Sequence, residues 1–160
     1  MKTRLWKMLA VTAFVVLVLA VLTLSGREVD RVKPETNETS AVASLKAIAA
    51  AERQYKQAYP AQGFSCSLAA LGGSRGRLPT PDAAQMLDPR LALGMKAGYL
   101  FAFEKCTKTA ADGREMSTRY EVTAAPITVG KTGNRGFCMV ESGEIKFDPS
   151  GGNHCTVTLQ

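Results

Sequence analysis

The sequence predicts an α+β protein: an N-terminal membrane helix, then an amphipathic helix packed on a four-stranded antiparallel sheet. Three observations carry this. Met8 to Leu24 is a run of uncharged, mostly apolar residues; an Ala-rich segment with helical apolar spacing follows it; and from Gly98 onward the apolar period changes from helical to two, with glycine turns between the runs.

The apolar run is flanked by Lys2, Arg4 and Lys7 on one side and by Arg27, Glu28 and Asp30 on the other. At about 1.5 Å rise per residue it would cover roughly 26 Å, close to the hydrocarbon thickness of a bilayer. It is too long for the apolar part of an ordinary cleaved signal, and Val-Leu-Thr-Leu-Ser-Gly offers no clear small-residue cleavage site. The expectation is therefore a retained anchor over 1–26, a polar juxtamembrane linker over 27–39 containing Pro34, and one folded domain over 40–160. That last part is large enough for a single core and too small for two.

The basic residues around the run are nearly balanced, so they do not orient it. The cysteines do. Cys66, Cys106, Cys138 and Cys155 all lie beyond the apolar run, and none forms the close pairs that zinc sites use. An even number of well-spaced cysteines points to two disulfides. The domain is accordingly expected outside the cytoplasm, on the periplasmic side of a bacterial inner membrane.

A helix is expected from Ala41 to Pro60, with Thr36, Asn37, Thr39 and Ser40 as candidate caps. Val42, Leu45, Ile48, Tyr55 and Tyr59 form its apolar stripe, while Lys46, Glu52, Arg53 and Lys56 fall to the sides. Asn37-Glu38-Thr39 matches an N-glycosylation sequon, but capping accounts for it more simply. From Ala61 to Ala97 repeated glycines and prolines predict a connector with two short helical turns.

Tyr99, Phe101 and Phe103 then alternate along a first strand ending at Cys106. Asp112-Gly113 turns into a second strand over Met116 to Ala125, which Pro126 ends. After the Gly130 to Gly136 loop, Phe137 to Val140 and Ile145 to Phe147 form a second hairpin.

This order resembles the type IV pilin and pseudopilin family. The similarity is carried by Ala41 to Tyr55, Tyr59-Pro60, Gly63-Phe64, Leu68 to Gly72, Gly98 to Phe101 and Gly143 to Phe147. It implies a pilin-like fold and a structural or interaction role in a secretion or pilus-type assembly. The chain departs from the family at its start, with no glycine before the apolar run and no acid within it. That departure implies an anchored pilin-like domain rather than a filament subunit. Four cysteines allow three connectivities. Cys66 with Cys106 and Cys138 with Cys155 is favoured, since the first would join the helix end to the first strand and the second would tie the tail to the third.

No enzyme chemistry is expected. His154, the only histidine, adjoins Cys155 in a Gly-rich tail, and the acids are scattered without a spacing that pairs two carboxylates. Oxygen donors over Asp148 to Asn153 read as a turn rather than a calcium site, so neither a metal nor a cofactor is expected. The net charge is +6. Setting aside Lys2, Arg4 and Lys7 leaves 17 basic against 14 acidic residues, interspersed rather than clustered, so nucleic acid is not an expected partner. The local basic pairs Arg75/Arg77 and Lys131/Arg135 are the candidate contact loops. The expected partners are a membrane and other envelope proteins. The alternative is a periplasmic binding module that uses these basic loops for a small ligand or DNA.

Overall fold

The structure is a computed structural model that describes residues 16, 33–73, 76–111 and 114–159, without the side chains of residues 111 and 114. The chain divides into two units at Lys33/Pro34, and nearly all described residues belong to the second. Among the described residues no helix is long and apolar enough to cross a membrane. The run Met8 to Leu24, read as a membrane helix, lies outside them apart from Val16.

Helix α1 covers 33–58 of the described chain. It is already running at Pro34 and at all four candidate caps, so these residues do not start it. Thr39 Oγ1 donates to the carbonyl of Glu35 (3.0 Å) and Ser44 Oγ to that of Ser40 (2.8 Å), which satisfies hydroxyls inside a helix. Asn37 donates instead to the carbonyl of Thr132 (2.9 Å), so its amide holds a loop. Flanked by buried Pro34, Ser44, Ala49 and Ala51, the buried face of α1 runs through Glu38, Ala41, Leu45, Ile48, Glu52 and Tyr55. Their spacing alternates between three and four residues, as one helical face requires. Glu52, expected at the side of the apolar stripe, is instead fully buried on it together with Glu38, and Val42 lies at its margin, only partly buried.

The connector holds two single-turn helices. Helix α2, Leu68–Leu71, is capped by Ser67, whose hydroxyl accepts from the N–H of Ala70. Helix α3, Pro89–Ala92, is capped by Asp88, which accepts from Arg90 and Leu91, with proline at a position where no donor is needed.

The sheet has six antiparallel strands in sequence order: β1 Met95–Lys96, β2 Tyr99–Ala111, β3 Arg114–Pro126, β4 Gly136–Val140, β5 Ile145–Asp148 and β6 Val157–Thr158. The expectation of an amphipathic helix on four strands is therefore corrected to a mostly-sheet domain of six strands. The added strands are edges of two residues each, too short for a period-two pattern to reveal. β1 is turned into β2 by Ala97 and Gly98, both at positive φ (48° and 75°). β6 is held by pairs to Lys146 and Phe147. Strands β2 and β3 also run further than expected, to 13 residues each.

Leu45, Ile48 and Tyr55 of α1 share one core with Tyr99, Phe101, Tyr120, Val122, Phe137 and Met139 of the sheet. A register shift between Phe103 and Lys105 leaves Glu104 without an opposite residue. Strict alternation from Tyr99 would put Cys106 on the face away from Phe101. The bulge restores it to the inner face, directly opposite the buried Tyr120 and within reach of Cys66. The disulfides join Cys66 to Cys106 and Cys138 to Cys155, with Cα separations of 6.1 and 5.9 Å. This is the pairing favoured from the sequence.

Candidate functional site: carboxylate anchors under the loops

Among the buried polar side chains of the described residues are three carboxylates, Glu38, Glu52 and Asp148, each of which holds a loop. Glu38 is 5% exposed. Its Oε1 accepts from the backbone N–H of Asn134 (2.8 Å) and Arg135 (3.2 Å), and its Oε2 from Nε of Arg135 (2.7 Å). The Arg135 guanidinium also lies over the rings of Phe137 (5.4 Å) and Phe147 (5.1 Å). A charge removed from water needs such pairing, and here both partners have it.

The same loop is held from β2. Tyr99 Oη donates to the carbonyl of Arg135 (2.8 Å), and burial raises its phenol pKa well above the ordinary range, with the Glu38 charge adding to the effect. A Cβ placed on Gly133 would fall on the Tyr99 hydroxyl and ring. Gly133→Ala should therefore displace the loop and cost about 1 to 3 kcal/mol, as overpacking a filled site does. Denaturant titration against wild type measures this. An unchanged midpoint would contradict the close approach.

Glu52 is 0% exposed, near the other end of α1. Its Oε2 accepts from Ser65 N–H (2.7 Å), and its Oε1 from Ser65 Oγ (3.0 Å) and Cys66 N–H (3.0 Å). It thereby fixes the segment that presents Cys66, whose φ of 54° is uncommon for a residue with a side chain. Burial pushes the Glu52 carboxyl up, and the three hydrogen bonds oppose this without cancelling it. Burial likewise holds the Tyr120 phenol up, to about 12, with the Glu52 charge contributing.

Asp148 binds the C-terminal loop. Its Oδ1 accepts from Ser150 N–H (2.8 Å) and Oγ (2.6 Å), and its Oδ2 from His154 N–H (3.1 Å). The Ser150 hydrogen bonds hold its pKa below the usual carboxylate value. The carboxylate is engaged in the turn itself.

Glu52 and Asp148 pull stability in opposite directions with pH. Asp148, with a lowered folded pKa, contributes stability above its unfolded value of 3.8 that is lost as pH falls through the folded pKa. Glu52, with a raised one, favours the folded state most below its unfolded value of 4.5, and that advantage fades as pH rises through the folded pKa. The stability deficit of Asp148→Asn relative to wild type should therefore shrink on acidification below pH 3.8. A deficit independent of pH would show that the Asp148 charge does not hold the loop.

Of the candidate contact residues, Arg75 lies outside the described residues. Arg77 and Lys131 are exposed, while Arg135 is committed to Glu38 and is not a free cation. His154 is exposed and joins the anchor only through its backbone. Among the described residues no cluster of His, Cys, Asp or Glu is arranged to hold a metal ion. On the outer face of the sheet, Lys105 pairs with Glu121 (2.8 Å) and Arg119 with Glu141 (3.7 Å). The Glu121 hydrogen bond raises the Lys105 pKa. Such exposed pairs contribute little stability.

Sequence reasoning missed Glu38 and Glu52 as anchors. The signal was available: both continue the three-and-four spacing of Ala41, Leu45, Ile48 and Tyr55. No family model, no curated protein and no solved structure matches this chain.

Proposed function

We propose that this protein is a non-enzymatic structural or interaction protein of a bacterial envelope assembly. In this reading it is held at the inner membrane by the apolar sequence Met8 to Leu24, and its disulfide-braced domain faces the periplasm. The observation that carries the proposal is the use of the buried carboxylates. Glu38, Glu52 and Asp148 each stabilise the shape of a surface loop, and none is left open toward a cleft. Fixed loops on a braced sheet suit recognition by another protein, because little ordering entropy is lost on docking. The two disulfides support an oxidising compartment. The resemblance to pilins and pseudopilins supports an assembly role, with α1 and the sheet sharing one core.

Crosslinking in the native envelope followed by mass spectrometry tests this. Specific protein neighbours that remain after a high-salt wash are expected. Recovery of nucleic acid alone, lost steeply with salt, would replace the proposal with the binding-module reading. His154→Ala should leave melting and partner capture unchanged. A selective loss of some activity in a normally folded His154→Ala protein would overturn the non-enzymatic assignment.

A further inference from the structure

Two loops meet at the end of α1 from which the chain leads back to the apolar sequence. Asn37 reaches the carbonyl of Thr132, and the Gly98 turn lies against Thr132 and Asn37. The N–H of Ile127 donates to the carbonyl of Gly98 (2.9 Å), joining the end of β3 to the same turn. Beside them is a shallow depression of about 530 Å³ lined in part by Arg90, Met95, Lys96 and Ile127.

Apolar side chains here are open to solvent. Met95 is 54% exposed and Ile127 53%, and Leu100, opposite Met95 in the β1–β2 pair, is 47% exposed. The cations near them are Arg90, Lys96 and Lys131, all exposed and none ion-paired with a described residue. Asp88 is the acid lining the depression, and its carboxylate already caps α3. Exposed apolar side chains beside unpaired cations form the pattern that binds an anionic membrane surface: the side chains enter the headgroup region while the cations meet phosphates.

We infer that this end of the domain, formed by the β1–β2 turn and the 127–132 loop, rests on the anionic headgroups of the bilayer. The inference builds on the proposed membrane attachment. Connectivity chooses the occupant, because only the eight residues 25–32 separate the apolar sequence from the described start of α1, whose far end lies about 38 Å away along the helix. Contact here would fix the orientation of the domain on the membrane. The tether alone would leave that orientation free.

Met95 reports on the contact directly, since its exposed thioether oxidises to the sulfoxide at a rate set by access. The full chain would be placed in lipid nanodiscs of phosphatidylcholine, or of phosphatidylcholine with phosphatidylglycerol. Oxidation by dilute peroxide would then be followed by mass spectrometry, with Met116 as internal reference. Met95 oxidation should slow about tenfold in the anionic discs, and Lys96→Glu/Lys131→Glu should restore the faster rate. Equal rates in both lipids, with the chain retained on the discs, would overturn the inference and leave the attachment standing. A chain that does not stay with either disc would overturn both. Protection seen only in native membranes would assign the surface to a protein and overturn the lipid contact.

Discussion

Ile48→Asp is expected to abolish folding of the domain. Ile48 is 0% exposed on the inner stripe of α1, between Leu45 and the Glu52 anchor. An aspartate there has no described cation or donor positioned for it, unlike Glu52 four residues further on, whose oxygens meet three donors. Burying an unpaired carboxylate and losing the isoleucine side chain together cost about 4 kcal/mol or more. A domain of this size is stable by about 5 to 15 kcal/mol, so the loss removes much of the margin. Lys46→Asp, on the exposed side of the same helix, serves as the control and should change stability by less than about 1 kcal/mol. Circular dichroism melts of the two variants make the comparison. Equal melting temperatures would show that α1 is not packed on the sheet as described.

The contrast between Ile48 and Glu52 also shows what the sequence could convey. Periodicity located α1 and the inner face of β2 and β3, because Leu45, Ile48, Tyr99 and Val122 are apolar and repeat at the right interval. The same interval runs through Glu38 and Glu52, but a carboxylate is buried only where donors meet it, and those donors lie outside α1, at Asn134 and Arg135 and at Ser65 and Cys66. No local pattern contains those partners. Strands β1 and β6 were missed for a related reason: two residues can show no alternation, and only the neighbouring strand makes them part of a sheet. The Glu104 bulge is a third case. The sequence Phe103-Glu-Lys-Cys106 reads as unbroken alternation, which would turn Cys106 away from the helix side. The right cysteine pairing could nevertheless be favoured, because it rested on which elements lie close together rather than on strand register.

Removal of the Cys66–Cys106 disulfide should cost more than removal of Cys138–Cys155, and in a different place. The first closes a separation of 40 residues and the second one of 17. In the chain-entropy description these correspond to about 4 and about 3 kcal/mol. The location follows from the sheet. β4 pairs with β3 only over Glu121–Ala124, so the outer part of the β2–β3 hairpin has no further strand beside it from β4. That part is joined to the rest through the disulfide, the backbone bonds of Ser117 to Gln62 and Phe64, and the ring contacts of Tyr120 with Phe64 and Phe103. Cys66→Ser/Cys106→Ser should therefore accelerate amide exchange in 105–111 and 114–119 while leaving 137–140 slow. Cys138→Ser/Cys155→Ser should instead loosen 149–156, where the Asp148 hydrogen bonds would remain, while β6 keeps its pairs to β5. Denaturant titration gives the two costs, and exchange read by mass spectrometry gives their locations. If the first double variant lost less than about 1 kcal/mol and exchanged like wild type, the hairpin would be held by the Ser117 and Tyr120 contacts, and the disulfide would not be what fixes it to α1.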